Sequence, residues 1–183
     1  MFLFVLTLYK FIEVVYEKPL IPLVIILFDD RNYYQLLRMK RVIISIGNPL
    51  KSDDNISNLI LDELQKNMKD RNFYFIKAGT NPENFIEPLR KIKPDIVYFI
   101  DIALFQGSVG DIKLFQLEDI LNYNISTHNL PITVFRKFFP KSKIILIGIK
   151  PKSLDFGENL TPELQNKFEE IVKKVKTIVE HNL

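Results

Sequence analysis

The chain contains no cysteine. Disulfides, thiolate zinc sites, iron–sulfur clusters and a cysteine nucleophile are therefore excluded. It has only two histidines, His128 and His181. A zinc site built on two or three imidazoles is nearly excluded, and any metal must lean on carboxylates. Tryptophan is absent and alanine occurs only at positions 78 and 103, a usage that reflects coding bias or growth temperature rather than function. A large charge of one sign is lacking too: 25 basic against 22 acidic residues leave +3, too little for the electrostatic footprint of a nucleic-acid binder. Long apolar runs are missing. The two longest near the start, 1–9 and 20–28, are each nine residues, against about 20 for a membrane-spanning helix.

What is present is ordinary for a globular protein. The 183 residues are 47% hydrophobic and 26% charged, too apolar for a disordered chain. That length makes about one domain and buries roughly two thirds of the surface of the unfolded chain.

Residues 1–38 differ from the rest. Lys10, Glu13, Glu17 and Lys18 separate the two apolar runs, so they cannot merge into one span. No basic residue precedes the first run and no small-x-small cleavage site follows it, which fits a signal peptide poorly. Pro19 and Pro22 break a helix near the second run. Met39-Lys40-Arg41 then stands directly before a strong strand pattern, as at the start of many cytosolic α/β domains. Two readings stand side by side: upstream sequence joined by a start-site error, or a real hairpin or membrane-surface anchor. The division is 1–38 as an extra segment and 39–183 as a single α/β domain.

From position 41 the chain alternates strand and helix. The β-branched run 42–46 reads as a strand buried on both faces. Ile56, Leu59, Ile60, Leu64 and Met68 follow at helical spacing, with Ser52 or Asp53 available as N-cap. Further strands are predicted at 73–77, 95–100, 111–116 and 143–149. A helix follows Asn81, a short helical turn spans 117–121, and 131–139 suits a helix with Pro131 first. A closing helix starts at Thr161-Pro162 and buries Leu164, Phe168, Ile171, Val175 and Val179. Strands spaced by such helices predict βαβ units and a mainly parallel sheet covered on both faces. Ligands in such sheets bind beyond the carboxyl ends of the strands.

Three of those ends carry polar groups. Gly47-Asn48-Pro49-Leu50-Lys51-Ser52-Asp53-Asp54 follows the first strand. An acidic pair before a helix complements its dipole and caps it, which accounts for Asp53; adjacent side chains diverge, so Asp54 faces the strand ends. Asp101 closes the third strand, where a carboxylate is costly unless paired, hydrogen-bonded or on a metal; a turn or cap role is the alternative. His128 stands just before a helix, as a cap or as a ligand. His181, near the end of the chain, suits a helix-dipole contact or simple exposure. Two carboxylates and an imidazole form a plausible oxygen and nitrogen site for zinc, iron or nickel. There is no Gly-x-Ser-x-Gly elbow and no P-loop.

Gly47 to Asp54 resembles the Gly-Asn-Pro-Leu-x-Gly-Asp-Asp signature of the hydrogenase maturation endopeptidases. Gly79-Thr80, Asp101 with Gly107-x-x-Gly110, Ser126-Thr127-His128-Asn129-Leu130-Pro131, Gly148-Ile149-Lys150-Pro151 and Gly157 to Glu163 are similar to that family's later motifs, in order from about 42 to 180. The resemblance implies a three-layer α/β/α sandwich around a mainly parallel, twisted five-stranded sheet. It implies a cytoplasmic, aspartyl-type endopeptidase that removes the C-terminal extension of a nickel–iron hydrogenase large-subunit precursor. Asp54, Asp101 and His128 would be both the catalytic and the metal-contacting residues, with nickel contributed by the substrate. No nucleic-acid partner is implied, and no membrane unless residues 1–38 anchor the chain. Ser52 and Asn55 depart from the family, which often has glycine at both positions.

Two other readings compete. A peptidyl-tRNA-hydrolase-like enzyme also uses Gly-Asn-Pro after its first strand, but it needs a Thr-Arg-His-Asn segment and a basic surface that this sequence lacks. A non-catalytic nickel-checking module for the same subunit would carry the same ligands.

Deleting residues 1–38 is expected to leave a soluble, folded, processing-competent protein. Expression of the truncated chain, with circular dichroism, checks this; loss of the folded species would show that the segment belongs to the domain.

Overall fold

The computed structural model describes residues 38–116 and 129–181. The unit containing the sheet begins at Met39. The helical turn expected at 117–121, His128 and residues 1–37 lie outside the described residues.

Among the described residues the chain runs β1 (Arg41–Ile46), α1 (Ile56–Asn67), β2 (Phe73–Gly79), α2 (Ile86–Ile92), β3 (Ile96–Ile102), β4 (Ile112–Gln116), α3 (Asn129–Phe138), β5 (Lys143–Ile149) and α4 (Pro162–His181). Short 3-10 turns, Ser52–Asn55 and Pro82–Phe85, lead into α1 and α2. The five strands form one sheet in the order β2-β1-β3-β5-β4. β1 pairs in parallel with β2 and β3, and β3 with β5. β4 pairs with β5 antiparallel, at the edge.

The apolar runs explain the layers. Alternate residues of a strand face opposite sides. Ile43, Tyr98, Ile100, Ile145 and Ile147 face one way and pack with Ile60 and Leu64 of α1 and with Ile171 and Val175 of α4. Val42, Ile44, Val97, Phe99 and Leu146 face the other way and meet Leu89 of α2 and Phe135 of α3. The Phe99 and Phe135 rings meet edge to face, centroids 5.0 Å apart. Both faces are thus covered, giving three layers. Burial pushes the phenol of Tyr98 up to about 12, with the charge of Arg41 pulling weakly the other way.

The first helix takes its N-cap from Asn55, with no side-chain capping bond from Ser52 or Asp53. Pro88 sits third in α2, within the first turn, where a missing N–H costs nothing. The third strand continues two residues past its expected end, so Asp101 lies inside β3 opposite Gly148. No helix among the described residues is long and apolar enough to cross a membrane.

Gly148 sits where two strands and an aromatic ring meet. A Cβ there would lie 2.6 Å from Ala103 Cβ and 2.8 Å from the Phe115 ring. Gly148→Ala is therefore expected to cost about 1–3 kcal/mol by overpacking. A fall in the melting temperature of roughly 2–10 °C, read by circular dichroism, checks it.

Candidate active site

The loops that follow β1, β3 and β5 all leave the carboxyl edge of the sheet, and the loop after β1 is built most tightly. Gly47 donates its N–H to the Gly79 carbonyl at 2.9 Å, tying the ends of β1 and β2. A Cβ on Gly47 would stand 2.0 Å from the Asp54 carbonyl oxygen, so only glycine lets the 3-10 turn fold back this closely. Asp54 then receives the Asn48 backbone N–H on its Oδ2 at 2.8 Å. The turn packs against β3, and Asp54 is 5% exposed.

Beneath the loop lies a buried polar network. Ser45 Oγ donates to Asn58 Oδ1 at 2.9 Å. Asn58 Nδ2 donates to the Gly47 carbonyl at 3.2 Å and to Asn55 Oδ1 at 3.0 Å. Asn58 thus uses both ends of its amide to hold the loop that carries Asp54. Sequence reasoning did not single out Ser45 or Asn58. The available signal was a serine interrupting an isoleucine run and an asparagine on the apolar face of α1.

Asp101 is fully buried and accepts the Ile102 N–H on Oδ1 at 2.8 Å. By strand alternation it shares the face of Val97 and Phe99, the face covered by α3. α3 ends just before β5 enters the sheet at its amino edge. It therefore runs against the strands, and its ten residues span about 15 Å. α3 accordingly begins, at Asn129, on the side and at the edge where Asp101 sits. The structure brings Asp54 and Asp101 to one sheet edge; His128, the third candidate, lies outside the described residues. Among the described residues no three His, Asp or Glu side chains gather as a metal-holding cluster. His181, the other histidine, is the last residue of α4 and exposed.

The comparisons fit this geometry. Residues 59–178 match the family model described as hydrogenase maturation protease. A Methanocaldococcus jannaschii protein named as a hydrogenase maturation protease is 34% identical over 151 residues, covering 77% of this chain and 89% of that protein. The chain belongs to the hydrogenase maturation protease family. Its activity is therefore that of a protease, a hydrolase of peptide bonds. The Hydrogenase 3 maturation protease of Escherichia coli K12 is 23% identical, with 75% of this chain and 90% of that protein covered. The crystal structure of the NiFe hydrogenase maturation protease HycI from Thermococcus kodakarensis superposes with a TM-score of 0.66 at 26% identity, covering 77% and 93%.

Ser52 and Asn55, where the resemblance leads one to expect glycine, each have a local explanation. Ser52 has φ of 37°, in the left-handed region that glycine enters freely and other residues enter at a cost. Its hydroxyl offsets part of that cost by donating to the Asn159 carbonyl at 3.0 Å. Asn55 has φ −76° and ψ −9°, an ordinary helical conformation that requires no glycine, and its side chain joins the Asn58 network.

The assignment of Asp53 to capping is corrected. The residue is fully buried and caps neither its own turn nor α1. Its Oδ2 accepts the backbone N–H groups of Lys152 and Ser153 at 2.8 and 3.0 Å, and the Thr161 hydroxyl at 3.1 Å. Its Oδ1 accepts the Thr161 N–H at 2.7 Å. All of these donors lie about a hundred residues away, on the loop between β5 and α4. The partners invisible in the sequence decide the role.

Asp53→Ala would strand three backbone N–H groups and a hydroxyl at once. Hydrogen bonds to a charged group contribute about 1.5–3 kcal/mol each and are not additive. The expected loss is about 3–5 kcal/mol, well above the roughly 1 kcal/mol of a helix cap. Urea unfolding measures it; a midpoint shift no larger than that of a surface substitution would refute the assignment.

Proposed function

We propose that this endopeptidase removes the C-terminal extension of a nickel-loaded hydrogenase large-subunit precursor in the cytoplasm, with Asp54, Asp101 and His128 contacting the substrate's nickel. The observation that carries the reading is two buried carboxylates at one sheet edge, Asp54 on a loop locked to its neighbours and Asp101 near the end of β3, in a chain of this family. Buried carboxylates are costly unless a cation or hydrogen-bond donors meet them. Carboxylate oxygens with an imidazole nitrogen form a donor set that suits a borderline divalent ion.

The nickel belongs to the substrate and serves as the recognition element. Contacts available only when it has been inserted favour the loaded precursor over the empty one, which is discrimination by differential binding. Hydrolysis then adds water across one peptide bond. A carboxylate at this edge can take the proton of the attacking water as the carbonyl carbon is attacked, and return it to the departing amine.

The test is cleavage of a precursor prepared with and without nickel. Asp54→Asn, Asp101→Asn and His128→Ala are each expected to reduce processing of the loaded precursor by at least a hundredfold, with melting temperatures within a few degrees of the parent. The empty precursor should stay intact with every variant. Cleavage of the empty precursor at the parent rate would remove nickel from the mechanism. Binding of the loaded precursor without cleavage by the parent chain would favour a checking module instead.

A further inference from the structure

The edge that carries Asp54 and Asp101 also concentrates exposed apolar surface. Four large hydrophobic side chains stand exposed among the described residues: Leu50, Leu104, Phe138 and Phe156. Phe138, at the end of α3, lies under the Arg90 guanidinium, 5.2 Å from its ring centre. The other three lie in the loops after β1, β3 and β5. A single exposed apolar residue needs no explanation; three at the catalytic edge do.

Phe156 is the extreme case, with 86% of its surface in water. Such a ring usually sits on a loop that can fold it away, but this loop is fixed. Gly157 donates to the Leu50 carbonyl at 3.0 Å and Ser52 donates to the Gly157 carbonyl at 2.7 Å. Lys51 and Gly157 pair as a parallel bridge. Leu50, 59% exposed, and Phe156 immediately precede the two residues of that bridge. Asp53 holds both ends of the same loop through Lys152, Ser153 and Thr161. The loop is locked while its apolar tip stays in solvent.

We infer that Phe156 and Leu50 form a preorganised anchor that inserts into an apolar recess on the folded body of the hydrogenase precursor. This rests on the function proposed above. Continuity with the catalytic edge supplies the partner: an endopeptidase must seat its protein substrate there, and the anchor's loop is bonded directly to the loop bearing Asp54. Shape selects the folded body over the C-terminal extension. A protruding ring is complementary to a concavity, whereas an extended peptide needs a groove or strand edge on the enzyme. Rigid aromatic anchors lose little entropy on docking and often dominate an interface.

The test uses the full chain and nickel-loaded precursor. Phe156→Ala is expected to raise KM roughly tenfold or more, with kcat within about twofold and an unchanged melting temperature. Leu50→Ala should move KM the same way by less, and Phe156→Leu should recover part of the loss. A synthetic peptide of the C-terminal extension should bind the parent and Phe156→Ala equally. An unchanged KM in both alanine variants, with the parent cleaving normally, would overturn the anchor alone. So would a peptide that loses affinity with Phe156, or a parent dimer that Phe156→Ala converts to monomer while KM stays fixed. No cleavage by the parent would instead overturn the proposed function, and the anchor with it.

Discussion

The buried carboxylate of Asp53 is the interaction on which the carboxyl edge depends. A charge taken fully out of water is tolerable only when its oxygens meet donors of good geometry. Here three backbone N–H groups and a hydroxyl do so. One result is local, since Thr161 at the start of α4 is held against the loop after β1. The larger result is topological. The loops that leave β1 and β5, separated by β3 in the sheet, become one rigid piece. The Ser52 and Gly157 backbone pairing and the Ser52 hydroxyl bond to Asn159 then lie within that piece.

Neighbouring acids therefore do different work. Asp53 turns toward the loop after β5 and builds. Asp54, one residue on, turns toward the loop after β1, where it receives the Asn48 N–H. Which acid builds follows from where the donors are, since the two residues are identical in type and nearly so in burial. Gly47 enforces the arrangement from below, because any side chain there would collide with the Asp54 carbonyl.

The parts of this fold that were legible in the sequence are those set by near-neighbour pattern. Continuous β-branched runs place β1 and β5 to within a residue, and helical spacing places α1 and α4. The order of the strands and the antiparallel entry of β4 depend on which edges meet, and no local pattern carries that. The extension of β3 through Asp101 was missed because a carboxylate looks like a strand terminus. The strand instead stays in register with β5, Asp101 opposite Gly148, whose missing side chain leaves room for Ala103 and Phe115. Asp53 was misread for a related reason: capping is a relation of a few residues, while its real partners are a hundred residues distant. Ser45 and Asn58 were passed over because each is unremarkable alone, and only the fold sets them 2.9 Å apart.

A rigid edge has a consequence for selectivity. Contacts to a substrate made by a preorganised surface lose little to reordering, so each contributes nearly its full differential strength. On the function and the anchor proposed above, two recognition elements of different kind, carboxylates that meet a cation and an apolar tip that meets a recess, would test separate properties of the same partner. One would read whether the ion is present and the other whether the surrounding protein is folded. Because Asp54 and the apolar tip are carried on loops joined through Asp53, the distance between them is fixed, and a partner offering only one element would engage half the surface. If each element contributes about 2 kcal/mol, together they separate the loaded, folded precursor from one lacking both by nearly a thousandfold. A flexible loop could make the same contacts but would lose much of that margin to its own ordering. On that proposal, the locking of the loop by a buried charge would be as much a part of specificity as the residues that face the substrate.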